Sequence, residues 1–528
     1  MHIDLNIADT HAWSLIRRTA RAAVTPHATA TSETLKESLY TITAADTSVP
    51  AYSNTDYDFC HFSCSIFPVG ITIAHRTSAL STGCVSPQKL HITPSFAGGV
   101  MSASLPAAGY YIVKLDAHKE VIILADPAEE EAAIPSPLSP KTWNVLSFGA
   151  KNDGSDFAAT TSVFQSCLDA AAAAHGTVYV PAGVYSVGNL VLGSNTTLYL
   201  ASGSTLRFSA ENADAYKVHW HKTSQGSRPI TWWLSTAFGS RNVRIFGRGV
   251  LDGNGVCAVA AGGMGNNLLV PIATRNFSCE GITFVNAASW AVTPILTTHA
   301  RFSHCKFLNR FTDAGENDGI DVMHSSHILI TRCIGVGLDD PFSTKTWSHR
   351  HGDISASWPI PSGGLPAVTN ITFDTTTSWT ICFGLKIGAG IWAPQENITF
   401  RNAVVYDCSI AVGIHFQSGA SYAKNVTFEN IDIEHVTWTN MRISNWCSFM
   451  ITGGDANPNS PYQIRDVKVA NVHVRMRGNT DAILKGRPGR VVKNVLFKDV
   501  RMQDGSLARN LQELGFEDVD WVEGVEVM

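Results

Sequence analysis

Two rhythms of hydrophobic and polar residues divide the chain near residue 140. Before it, short apolar runs such as Ile71–Ala74 and Val100–Leu105 alternate with polar clusters, the pattern of half-buried strands. The stretch YYIVKLDAHKEVIILAD, Tyr110 to Asp126, reads as two strands around an Asp-Ala-His turn. Residues 1–126 are therefore expected to form a small antiparallel β-sandwich. Residues 127–141, PAEEEAAIPSPLSPK, hold four prolines and three glutamates and read as a linker.

From Trp143 onward the rhythm changes. Asp156 is placed to cap a helix over about Ala158–Ala174, with Val163, Cys167, Leu168 and Ala171 at helical spacing. Gly176 should end it, and Val178–Val180 should open a strand. No further strong helix is predicted after Tyr185. Instead a polar residue followed by a β-rich run recurs: NVRIFG at Asn242, GITFVN at Gly281, HILITRC at His327, NITF at Asn370 and Asn397, NVTF at Asn425, DVKV at Asp466 and NVLF at Asn494. The last spacings are 27, 28, 41 and 28 residues. A period of 20–30 residues with a few short strands per turn marks a β-solenoid. Residues 142–528 are expected to be a parallel β-helix, right-handed by the general preference of strand crossovers.

Composition narrows the function classes. Hydrophobic residues make up 45% of the 528, so a large core is available, and a net charge of -5 gives no basic footprint for nucleic acid. No run of 18 apolar residues offers a membrane span. Met1–Ala23 carries Asp4, Asp9, Arg17, Arg18 and Arg21 and does not read as a secretory signal, so the sequence leaves the compartment open. The eleven cysteines are odd in number; Cys60, Cys64 and Cys84 could hold one disulfide, and most later ones read as small buried hydrophobes. Asn-x-Ser/Thr occurs at Asn195, Asn276, Asn370, Asn397 and Asn425, and the repeat favours turn asparagines over glycan acceptors.

The candidate chemistry is acidic. ENDGID, Glu316 to Asp321, and GLDD, Gly337 to Asp340, place Asp318 and Asp339 21 residues apart. That is one short coil, so the segments should lie on neighbouring rungs about 4.8 Å apart. Carboxylates gathered there repel, and at least one should keep its proton. A neutral acid beside ionised carboxylates is what glycosidic cleavage needs. Adjacent strand residues point to opposite faces, so Asp339 and Asp340 share a cleft only if the chain bends there.

FGAKNDG at Phe148–Gly154, the helix, and GTVYVPAGVY at Gly176–Tyr185 together resemble the opening of the pectate-lyase-like superfamily of right-handed parallel β-helices. Within it, the order and spacing of the acids resemble glycoside hydrolase family 28, the polygalacturonases. The N-terminal sandwich is similar to the two-domain layout of family 49, the dextranase and isopullulanase group. The resemblance implies Asp339 as general acid, Asp318 and Asp340 as the residues that hold and deprotonate water, inversion at the anomeric carbon, and Asp321 in support. No metal or cofactor is implied.

The departures bear on the substrate. The family's N-T-D is Glu316-Asn317-Asp318 here, its G-H-G aligns with Cys382-Phe383-Gly384, and its R-I-K, which holds the uronate, aligns with His415-Phe416-Gln417. Losing Arg and Lys there points away from unsubstituted polygalacturonate. Lys345 and Lys386 could supply a cation, and Trp347 and Trp392 could cover a sugar face. The expectation is an inverting glycoside hydrolase acting on a poly- or oligosaccharide, with an extracellular setting implied by the family alone. A polysaccharide lyase or a non-catalytic or recruited β-helix is the alternative. Trp347–Pro366 is the expected lid or wall of the groove.

Overall fold

The computed structural model describes residues 22–223, 226–262, 264–311, 316–348, 361–457 and 459–528. The segment read for a signal lies almost wholly outside them, as do residues 349–360 of the expected lid.

Two sheets face each other over Val24–Pro127. Alternation explains how they pack. Cys60, Phe62, Val121, Ile123 and Ala125 point at Ile42, Ile71, Ile73 and Met101 of the opposite sheet. Their neighbours Phe59, Ile122 and Leu124 point the other way, onto Val250, Val285, Leu308, Ile334 and Val336 of the later coil. The strand Val121–Pro127 is thus buried on both faces, which is why its sequence is continuously apolar. It pairs antiparallel with Gly109–Leu115, Ile112 opposite Ile122, as the turn reading requires. None of the eleven cysteines is disulfide-bonded, so the suggested bridge among Cys60, Cys64 and Cys84 is not made.

The later part is a right-handed parallel β-helix. Among the described residues, one sheet of 19 strands runs from Thr142–Asn144 to Val522–Val527. A second, seven-stranded parallel sheet stacks Ile320–Met323, Phe342–Thr346, Phe383–Ile391, Ile410–Ser418 and Asn445–Ile451 as its first five rungs. The interior is filled by like residues in register; Phe373, Phe400 and Phe428 stack at centroid spacings of 4.5 and 5.1 Å. Helix α1, Phe157–Ala174, covers the first coils with Phe164, Cys167, Leu168 and Ala171, while Val163 packs only partly buried. Asp156 precedes it, but its side chain caps nothing, because its backbone is left-handed at φ 53°. A second helix, α2 at Gly255–Gly262, escaped the sequence reading, being eight residues of Ala, Val, Cys and Gly without polar punctuation.

The recurring asparagines occupy the corners. Asn195, Asn242, Asn276, Asn370, Asn397 and Asn425 all have φ between 53° and 59°, a conformation Asn tolerates better than most residues. Their amides bond up the stack, Asn242 to Asn195 at 2.9 Å, Asn276 to Asn242 at 2.8 Å and Asn425 to Asn397 at 2.6 Å. The repeat seen in sequence is this ladder.

The sandwich and coil also share a buried ionic centre. Asp126 and Lys306, both fully buried, form an ion pair. His61 Nε2 lies 2.9 Å from Asp126, Arg248 Nε lies 3.4 Å from it, and Tyr110 donates its hydroxyl to Asp126 Oδ1 at 3.1 Å.

Candidate active site

The acids lie where strands of the large sheet turn into the second sheet. Asp339 and Asp340 follow the strand Ser326–Gly337 and precede Phe342–Thr346, in a bend rather than a strand. The alternation problem therefore does not arise. Asp339 and Asp340 each bring a carboxylate oxygen to within 4.8 Å of each other and of Cys382 Sγ. One rung earlier, Asp318 precedes Ile320–Met323. Ile320 pairs with Phe342, and Gly319 N–H donates to Asp340 O at 3.1 Å. The register is thus 22 residues, and Asp318 lies against Asp340 rather than Asp339, correcting the spacing of 21 by one position.

Two lysines bind the acids together. Lys345 Nζ donates to Asp318 Oδ2, lies 3.0 Å from Asp321 Oδ1 and 3.6 Å from Asp340 Oδ2, and stands 4.2 Å from the centre of the Trp290 ring. Lys386 Nζ donates to Asp340 Oδ2 at 2.6 Å and stands 4.5 Å over the Phe383 ring. Ser343 donates to Asp321 Oδ1. Asp318, Asp321 and Asp340 are buried, whereas Asp339 is half-buried. Asp318 Oδ1, Asp321 Oδ2 and Asp340 Oδ1 have no hydrogen-bond partner among the described residues.

Four carboxylates against two ammonium groups cannot all ionise equally. Burial raises Asp318 well above the carboxylate range, and the charge of Asp321 adds to it despite Lys345. Burial raises Asp321 to about 6, with Lys345 opposing. Burial, then the charge of Asp340, raises Asp339. Burial acts the same way on Asp340, but Lys386 and Lys345 together outweigh it and leave its pKa lowered. The bend therefore carries two neighbouring carboxyls pushed in opposite directions, Asp339 up and Asp340 down.

The remaining candidates surround this cluster unequally. Glu316 is buried, with Arg228 Nη2 3.5 Å from its Oε2. Trp347 packs with Trp232, Trp290 and Met323 in an apolar cluster. Trp392 is 40% exposed, its backbone N–H donating to Thr346 Oγ1 at 2.9 Å. His415 is buried, hydrogen-bonded to Thr452 Oγ1 at 2.7 Å, its ring 6.0 Å from Phe383. Burial, then Lys386, lowers its pKa to about 3, so it is neutral. Gln417, two residues on, is exposed. Arg228 and Trp290 were not foreseen as site residues; each comes from a different coil, and only the register brings it in. Asp339, Asp340 and Cys382 have the spacing of a cation site, but Lys386 already neutralises Asp340.

A model of glycosyl hydrolases family 28 matches residues 171–515, which include every member of this cluster. The chain belongs to glycosyl hydrolase family 28. Among curated relatives, this family 28 chain is 34% identical over 175 residues to an exo-poly-alpha-D-galacturonosidase of Dickeya chrysanthemi, covering 31% of the chain and 29% of that protein. It is 25% identical over 304 residues to exopolygalacturonase B of Aspergillus niger, covering 47% of the chain and 67% of the relative. The match thus spans under a third of the Dickeya protein's length. Among solved structures, the family 28 exopolygalacturonase of Yersinia enterocolitica aligns over 86% of this chain and 96% of its own, at 16% identity and a TM-score of 0.51.

Proposed function

We propose that the protein is a glycoside hydrolase that cleaves a galacturonate-type saccharide with inversion, Asp339 acting as general acid and Asp340, aided by Asp318, as base. The observation that carries this reading is the division of the two neighbouring acids. Asp339 is the half-exposed member and its carboxyl is raised by burial and by the charge of Asp340; Asp340 is held ionised by Lys386 and Lys345. Two carboxyls pushed apart in this way take the acid and base roles. Asp339 would protonate the leaving glycosidic oxygen while Asp340 accepts a proton from the attacking water. The unpartnered Oδ1 atoms of Asp340 and Asp318 offer acceptors for that water. Asp318, raised by its surroundings, is the weaker base.

The substrate class rests on the named activities of the relatives from Dickeya and Aspergillus. Both lysines are engaged by the protein's own acids, and His415 and Gln417 bring no fixed positive charge. This favours a galacturonan whose reacting unit is esterified or substituted over unsubstituted polygalacturonate. Trp392 would cover a sugar face at the rim. The division into a sandwich over residues 1–126, a linker over 127–141 and a catalytic β-helix over 142–528 belongs to the same reading.

The test is release of new reducing ends from unsubstituted, methyl-esterified and substituted galacturonans and from a neutral glucan, with Asp339→Asn in parallel. Release from a galacturonan that disappears in Asp339→Asn is expected. Undiminished release by the variant would sink the assignment. An unsaturated, ultraviolet-absorbing product that is lost on chelation would transfer the protein to the lyases.

A further inference from the structure

The sandwich bonds to the segment that supports the acidic bend. Its loop between Ala51–Ser53 and Asp58–Cys64 is folded on itself: Asn54 Oδ1 accepts from the N–H groups of Asp56 at 2.8 Å and Tyr57 at 2.9 Å. This fixes Tyr57, which is fully buried, with its ring against Trp379 at 5.8 Å and Phe311 at 6.2 Å. The Tyr57 hydroxyl donates to the carbonyl of Asn309 at 2.9 Å, across 252 residues of sequence. Beside it, Phe311 N–H donates to Asp56 Oδ2 at 3.0 Å.

From Asn309 the bonds lead to the acids. The Asn309 amide donates to Asn317 O at 2.8 Å and also reaches Asp318 O, at 3.4 Å. The Asn317 amide donates back to Arg310 O at 2.7 Å, and its Oδ1 accepts from Leu338 N–H at 2.8 Å, next to Asp339. Asn309 and Asn317 are buried, and Asn309 Oδ1 also accepts from Ala287 N–H at 3.0 Å. A second route runs through the tryptophan: Thr380, adjoining Trp379, donates its hydroxyl to Asp339 O at 2.6 Å.

We propose that Tyr57 of the N-terminal sandwich is a positioning residue for catalysis, fixing through Asn309 and Asn317 the backbone that carries Asp318 and Asp339. The sandwich is then a working part of the active site rather than an appended module. The inference rests on the reading of those aspartates given above. Its physical basis is the steep dependence of rate on placement, where a shift of about 1 Å can lower a rate on the order of 100-fold.

Tyr57→Phe removes one oxygen and leaves the ring packing in place. Tyr52→Phe is the matched control: it too deletes a buried hydroxyl of the sandwich bonded to backbone, at Thr29 N–H, 2.8 Å. For Tyr57→Phe, kcat should fall between about 10- and 100-fold with KM within about 2-fold, well below the unfolding temperature. Tyr52→Phe should keep kcat within about 2-fold of the parent.

Hydrogen exchange supplies a readout that does not need turnover. In Tyr57→Phe, peptides containing Asn317–Gly319 and Leu338–Asp340 should exchange faster, and in Tyr52→Phe they should not. Unchanged exchange in Tyr57→Phe overturns the proposal whatever the kinetics. Equal losses of kcat in both variants, tracking stability, overturn it as well. Faster exchange in a protein that cleaves no saccharide would uphold the relay and remove the proposed hydrolase activity instead.

Discussion

Replacing Asp126 by Asn tests how far one buried charge holds the sandwich to the β-helix. Asp126 and Lys306 are both 0% exposed, and Arg248 and His61 turn to the same carboxylate. The substitution keeps the shape and the acceptor for Tyr110 but removes the counter-charge. Lys306 is then left buried with Gly281 O as its remaining hydrogen-bond partner, 3.0 Å away. Removing one partner of a buried pair destabilises by about 3–5 kcal/mol. Burial already lowers the pKa of Lys306, with Asp126 opposing, so loss of its proton should hold the effect near the lower figure. Against a typical total of about 5–15 kcal/mol, that is a large fraction. Urea unfolding followed by tryptophan fluorescence reports it, since Trp379 lies in the interface between the two parts. Lys306→Met added to Asp126→Asn removes the stranded charge and should recover at least half of the loss. A single variant within about 0.5 kcal/mol of the parent, or a double variant no better than the single, would refute the reasoning.

Lys386→Met should raise the pKa of Asp340 and move the acid limb of the pH–kcat/KM profile to higher pH; an unmoved limb would remove Lys386 from control of the base. Trp392→Ala should raise KM about 5-fold with kcat nearly unchanged, if the exposed ring covers substrate; unchanged saturation kinetics would place it outside the groove. Stability should decline as pH falls from about 6.5 toward 4, because burial and then Lys306 depress His61 to about 4 while the unfolded chain takes up the proton at its ordinary value. Asp321, raised by burial to about 6, works in the opposite sense over part of that window. Unfolding midpoints across this range should therefore slope less steeply in His61→Asn, and an unchanged slope would acquit His61.

The coil was legible because its determinants repeat. Each corner needs a residue that accepts positive φ, and Asn370, Asn397 and Asn425 announce it at fixed spacing. The acidic segments were legible for the same reason, being short and stacked. Their exact register was not, since a bend of unknown length lies between Gly337 and Phe342, and it moved Asp318 from Asp339 to Asp340. Nor could local pattern show that Asp339 and Asp340 leave the strand before their side chains diverge. Tyr57, Asn309 and Asn317 gave no signal as a group. The bond from Tyr57 to Asn309 crosses 252 residues of sequence, and a single tyrosine in a polar loop gives no sign of a partner that far away. The Asp126–Lys306 pair was hidden likewise, each charge lying in a strand whose neighbours are apolar.

The asparagine corners also bear on how the protein can be made. Asn195, Asn276, Asn370, Asn397 and Asn425 each begin a sequence that a eukaryotic secretory pathway modifies with a bulky sugar on the side-chain nitrogen. In Asn276 and Asn425 that same nitrogen is the donor to the preceding rung, at Asn242 and Asn397. A glycan attached there would replace one of the two hydrogens on the atom that joins one coil to the coil before it. The choice of expression host is therefore a choice about how crowded these corners of the ladder become.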